Sequence, residues 1–288
     1  MSSEQRMSYR RKMIGDTLRR LREERNLTQS AAGRLLERSA ASLSAYENGH
    51  RAIRPRDLKH ILNEYGVADE RLRDHLLRLA HDGRQDGWWK DLAERVKPGF
   101  ILEYASLEAD SACIRDFEPY VVPGLLQNEN YARDVISQSG ITLRRTPDSV
   151  DTGVEIRMSR QRVLQRVPPL HYSAILGEAA LRNMVGGRRV MREQLNKLRD
   201  VSLLPNVDLR VIPFEVGSHP GIDGAFSILD VGSEGLMRIV SVDSLVRSWY
   251  VDEPEDVDHY AEVYERLREC ALSQVESREL IERISSDL

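Results

Sequence analysis

Between Thr28 and Arg56 the chain lays out groups suited to reading a polyanion by hydrogen bonding. Gln29 carries an amide, and Ser39, Ser42 and Ser44 carry hydroxyls that pair with several base edges. Ala40 and Ala41 offer methyl groups that could lie against thymine methyls. Asn48, Arg51, Arg54 and Arg56 are types that bind phosphate oxygens, contacts that position a protein without specifying sequence. No Arg, Gln or Asn stands between Ser39 and Ala45, so the bidentate base contacts, worth about 1–3 kcal/mol each, are missing. Readout is therefore expected to be modest or shape-based.

Chemistry of other kinds finds little support. Gly217-Ser218-His219-Pro220-Gly221-Ile222-Asp223-Gly224 gathers serine, histidine and aspartate in one loop. Neighbours in sequence point apart, whereas a nucleophile, its base and the orienting carboxylate must converge, so a turn between strands is expected there, with no catalytic residues. A glycine-rich loop against a sheet could also border a small pocket. GxSxG, Walker and HExxH patterns are absent from the sequence. Cys113 and Cys270 lie far apart without a CxxC, so buried free thiols are expected and no metal or cofactor is implied.

Two short helices must hold the reading groups. Thr28 is placed as the N-cap of the first, which carries Ala32, Leu35 and Leu36 at helical spacing. Ser39 caps the second, where Leu43 and Tyr46 share a core face and Asn48-Gly49 stops the helix. Only Glu37 and Arg38 remain between them, a turn that sets the helices at roughly 90–120°. LTQ at 27–29, the small Ala31 and Ala32, then Ser39, Ser42, Leu43, Ser44 and YENG at 46–49 resemble the helix-turn-helix of Cro/C1-type (Xre) repressors. Glu37 stands where that family usually has glycine in a left-handed conformation. The resemblance implies that Gln29 bonds a phosphate and braces the start of the reading helix.

A helix with Ile14, Leu18 and Leu21 inward should precede this pair, leaving Arg10, Arg11, Lys12, Arg19, Arg20 and Arg22 largely outside. Pro55 suits the start of a fourth helix, with Leu58, Ile61, Leu62 and Tyr65 inside. Leu72, Leu76, Leu77 and Ala80 mark a fifth. Residues 1–60 hold 14 Lys+Arg against 7 Asp+Glu, while the remainder holds 28 against 39. The basic end, which would steer the chain to a duplex, is the end carrying the motif.

The expected domains are 1–80, a five-helix all-α helix-turn-helix domain; 81–98, a junction with Trp88-Trp89; and 99–288, an α+β domain with a mainly antiparallel sheet. In the last, helices are expected at 101–112, after Asn128, at 149–165, within 178–204 and at 254–274. Strands are expected at 170–176, 207–214, 225–229, 236–242 and 246–251. FEPYVVPGLLQNENYAR, EIRMSRQRVL, LHYSAILGEAALR, LRVIPF and GAFSILD resemble the C-terminal domain of actinobacterial Xre-type regulators of the WhiJ and AbaA kind. That resemblance implies a small protein partner and an antitoxin-like relation to it. The expectation is a cytoplasmic, homodimer-forming regulator of double-stranded DNA with no membrane span, or alternatively an antitoxin-like adaptor that sequesters its partner and binds DNA for autoregulation.

Overall fold

A computed structural model of the chain describes residues 9–82, 100–143, 147–232, 237–244 and 248–288. The chain divides into two compact units, Met1–Lys90 and Asp91–Leu288. Trp88-Trp89 and nearly all of the expected junction lie outside the described residues.

Among the described residues the first unit has five helices: α1 (Tyr9–Glu23), α2 (Gln29–Leu35), α3 (Ala40–Glu47), α4 (Pro55–Glu64) and α5 (Glu70–Asp82). Leu18, Leu36, Leu43, Leu58, Leu62 and Leu76 are almost fully buried, the result of apolar residues recurring at helical spacing. Leu35, expected inside, is 43% exposed, because Ala32, Gly33 and the capping Leu36 fill the inward face of a helix this short. In α5, His75 and Leu79 join Leu76 in the core, while Leu72, Leu77 and Ala80 are half-buried.

Caps fix these helices. Thr28 accepts from Ala31 N–H at 3.1 Å and Ser39 from Ser42 N–H at 3.1 Å, as expected of the two N-caps. The C-terminal ends of α1, α2 and α4 share a left-handed residue followed by a backbone bond reaching back over the last turn: Asn26, Glu37 and Gly66, with Leu27 to Arg22, Arg38 to Gly33 and Val67 to Leu62.

The second unit runs α6 (Phe100–Asp110), β1 (Ser111–Glu118), α7 (Glu129–Leu143), α8 (Pro147–Arg160), β2 (His171–Gly177), α9 (Glu178–Arg182), α10 (Arg188–Val201), β3 (Val207–Ile212), β4 (Phe226–Val231), β5 (Met237–Asp243), β6 (Ser248–Val251), α11 (Pro254–Cys270) and α12 (Gln274–Ser286). The six strands form one sheet in the order β3-β2-β1-β4-β5-β6. β1 pairs parallel with β2 and β2 with β3, whereas β1–β4, β4–β5 and β5–β6 are antiparallel. The sheet is thus mixed rather than mainly antiparallel, because helical crossovers return the chain to the same end between β1, β2 and β3.

Three further expectations need correction. β1 is an additional strand at the centre of the sheet. The closing helix is two, since Ser273 starts α12 with a capping box. Cys113 and Cys270 are free but only half-buried. Phe117, Ile175, Phe226, Ile228 and Val240 make one apolar face, on which Val257, Tyr264 and Leu267 of α11 pack.

The Gly217–Gly224 loop is a turn between β3 and β4. His219 lays its ring edge-on to Phe117, and its Nδ1 accepts from Gly221 N–H at 3.2 Å. Ser218 and Asp223 are exposed and make no hydrogen bond to it. A Cβ at Gly221 would stand 2.3 Å from the Phe117 ring, so the glycine lets the loop close on the core.

Candidate nucleic-acid interface

The reading unit is built by close approach of backbone. A Cβ on Gly33 of α2 would meet Arg38 O at 2.7 Å, and one on Gly15 of α1 would meet Glu47 O at 2.5 Å. Both helices can therefore cross α3 only where no side chain intervenes. Glu37 holds the turn with φ 51°, the left-handed conformation expected at this position.

At the C-terminal end of α3, Glu47 is fully buried and binds three groups. Arg22 donates Nε to Oε1 at 2.6 Å and Nη2 to Oε2 at 3.1 Å, and Gln29 donates Nε2 to Oε2 at 2.9 Å. Arg22 also donates Nη1 to Leu27 O at 2.7 Å, tying the α1–α2 connection to the same point. The hydrogen-bonded carboxylate beside it raises the proton affinity of Arg22 further, so the guanidinium stays charged. Arg19 reaches Asn48 Oδ1 at 2.6 Å and Glu47 O at 3.3 Å. The YENG sequence thus supplies a core ring in Tyr46, a buried anion in Glu47 and a helix stop in Asn48.

Arg10 and Arg22, expected outside, are buried at 6% and 7% exposure. The signal for both lay in the spacing: 10, 14, 18 and 22 form one i, i+4 row with Ile14 and Leu18. Long guanidinium stems extend such a stripe while their heads seek partners.

Ser39 and Ala41 are exposed; Ala40, Ser42 and Ser44 are half-buried on the first turns of α3. The hydroxyl of Ser39 donates to Ser42 Oγ at 3.1 Å, and Ser44 accepts from Asn48 Nδ2 at 3.1 Å. Ser39 and Ser44 are therefore engaged in holding α3 as well as available at its surface. Asn48 is engaged at both ends of its amide, by Arg19 and by Ser44 O at 2.8 Å. Gln29 braces the end of α3 through Glu47.

Arg51, Arg54 and Arg56 are exposed in the segment after α3. Arg51 stacks over Tyr46 at 5.7 Å, and Arg54 is the residue immediately before α4, with Pro55 at its first turn. Arg56 lies 4.0 Å from Asp57, whose stronger partner is Arg38 at 2.9 Å. A cleft of about 170 Å³ is lined by Arg10, Arg11, Arg51 and Arg54 around Ile14 and Tyr46. Four guanidinium groups about one small concavity favour an anion there.

Among the described residues no helix is long and apolar enough to cross a membrane. No curated protein and no solved structure matches the chain. A helix-turn-helix domain model matches residues 14–76, which contain α2, the turn and α3 and support a DNA-binding regulator. A second model, described as a domain of unknown function (DUF5753), matches residues 101–283, more than half the chain and nearly all of the second unit from α6 to α12. The chain belongs to the DUF5753 family, with a helix-turn-helix domain ahead of the family's domain.

Proposed function

We propose that the chain is a sequence-specific transcriptional regulator of Xre type, acting in the cytoplasm as a homodimer on double-stranded DNA. The observation that carries this reading is the capped helix pair with Ser39, Ala40, Ala41, Ser42 and Ser44 at the start of α3 and exposed Arg51, Arg54 and Arg56 beyond it. In such a pair the second helix enters the major groove and the first crosses the backbone. With small side chains at the reading positions, base contacts are few, so phosphate contacts supply most of the affinity and a second copy multiplies it. Gln29, anchored on Glu47, acts from the first turn of α2, and Asn48 fixes Arg19.

The second unit is read as the control element, without catalysis, holding a small protein partner. Its support is charge: residues 91–288 carry 23 Lys+Arg against 33 Asp+Glu, which favours a basic partner.

The test is binding to fragmented genomic DNA across a salt series, with wild type beside Arg51→Ala/Arg54→Ala. Wild type should bind with a steep salt dependence, and the double variant should bind more weakly with a slope shallower by about 2. A wild type that does not bind, or a variant with an unchanged slope, would refute the assignment.

A further inference from the structure

The face of the sheet turned away from α11 is mostly apolar, with Ile114, Leu229 and Ile239 fully covered, but one row of it is polar. Directly opposed residues of paired strands share a face. The register sets Asp116 of β1 opposite Ser227 of β4, Ser227 opposite Ser241 of β5, and Ser241 opposite Tyr250 of β6. One polar row thus crosses four strands. Glu118, two residues along β1, shares the face, and Tyr172 of β2 donates its hydroxyl to Asp116 Oδ2 at 2.5 Å.

Two arginines of α8 stand close to this row. Arg160 forks onto Glu108 of α6 at 2.8 and 2.7 Å and stacks 4.9 Å over the Tyr104 ring. That cation is matched. Arg157 is not: its one hydrogen bond runs from Nη1 to the neutral Gln127 Oε1 at 3.0 Å, and it makes no ion pair among the described residues. It is held in place all the same. A Cβ on Gly124 would lie 2.8 Å from its Nη1 and 3.0 Å from its Cδ, so the side chain rests directly on that backbone. Gln161 donates to Gly124 O and Gln127 O at 3.0 and 2.7 Å, which fixes the loop beneath.

The row is not sealed off from solvent. Tyr104, Glu118, Arg157, Arg160 and Tyr250 all keep accessible surface. Burial is nonetheless the largest influence on the proton affinity of each. Burial, with Asp116 and Asp243 nearby, also pushes Glu118 up to about 8, so this neighbour of Arg157 is protonated at neutral pH. Arg157, pushed down to about 10 by burial and by Arg160, keeps its charge there. A fixed, desolvated guanidinium with no ion pair of its own, its neighbouring carboxylate Glu108 being held by Arg160, is the arrangement that recognises an oxyanion.

We propose that these groups line a recess that binds a small molecule bearing a carboxylate or phosphate group, which pairs with Arg157 while the Ser227 and Tyr104 hydroxyls take its polar body. The site lies wholly in the second unit and does not rest on DNA binding. Its test is calorimetric titration of the full chain with inorganic phosphate and, separately, with succinate, at ionic strength matched with chloride. Phosphate stabilises proteins as an excluded anion, so heat of binding rather than melting is the readout. Saturable heat with one probe is expected, and the probe that gives it separates a phosphate ligand from a carboxylate ligand. Arg157→Gln, which removes the charge, should weaken that binding by roughly thirty-fold or more, with Arg157→Lys recovering part. If Arg157→Gln does not fold, as judged by near-ultraviolet circular dichroism, Ser227→Ala serves the same comparison and should bind more weakly. No saturable heat from either probe with the wild type overturns the proposal, and so does an unchanged affinity in the folded variants.

Discussion

Glu47 is a buried carboxylate answered by Arg22 and Gln29, and its position at the end of α3 makes one side chain responsible for three elements. Removing one partner of such a pair leaves an uncompensated buried charge, whereas removing both leaves a space that apolar groups can fill. Glu47→Ala should therefore destabilise the first unit by about 3–5 kcal/mol. Glu47→Leu/Arg22→Met should recover most of that loss, and urea denaturation of the single and double variants checks both expectations. Equal losses in the two would mean that packing around Glu47, rather than charge, carries the stability. The serines and arginines proposed to face DNA could be picked out from residue type alone. Arg22 could not, because charge was taken as a sign of exposure although the 10-14-18-22 row places it inside.

Glu37 is the element-scale counterpart, since it closes α2 with the same backbone pattern with which Gly66 closes α4. A side chain in the left-handed region costs roughly 1–2 kcal/mol, part of which glycine returns through its larger unfolded-state entropy. Glu37→Gly should stabilise the first unit by about 0.5–1 kcal/mol, read from the urea midpoint at unchanged slope. A loss of stability would show that Glu37 makes contacts in the native state that offset its strain. Turn and cap chemistry made the first unit legible: Thr28, Ser39, Asn48-Gly49 and Pro55 each mark a boundary that the structure keeps. The second unit was less legible because β1 breaks the rule by which strands are found. Arg115, Asp116 and Glu118 interrupt the apolar alternation of a strand that lies at the sheet's centre, and the last two share the face of the polar row. Parallel pairing was hidden as well, since strand pattern does not encode direction. The hint lay in the helical stretches between β1, β2 and β3, which are crossovers and not hairpins.

At the scale of the whole molecule the two units should answer acid in opposite directions. In the first unit, burial, then Arg78 and Arg10, pushes His75 from 6.5 down to about 4, and its Nε2 is sealed without a hydrogen bond. Its neutral form is favoured by folding, so the unfolded chain binds the proton more readily, and stability is lost as pH falls from 6.5 toward 4. In the second unit, burial raises Glu118 from 4.5 to about 8 and Asp116 from 3.8 to about 6. Here folding favours the protonated form, so stability is full below the unfolded values and is lost as pH rises through the folded ones. Between pH 7.5 and 5, His75 should cost the first unit about 2 kcal/mol, while Glu118 should return about 3 kcal/mol to the second. Calorimetric scans of the full chain at the two pH values should show one transition falling and one rising on acidification. His75→Phe should flatten the first trend and Glu118→Gln the second, which assigns each to its unit apart from the other titrating groups. Two transitions that both fall on acidification, with neither variant changing them, would show that these buried groups do not govern the response. The opposition itself follows from chemistry: burial disfavours charge in both units, and what is neutral is a base in one and an acid in the other.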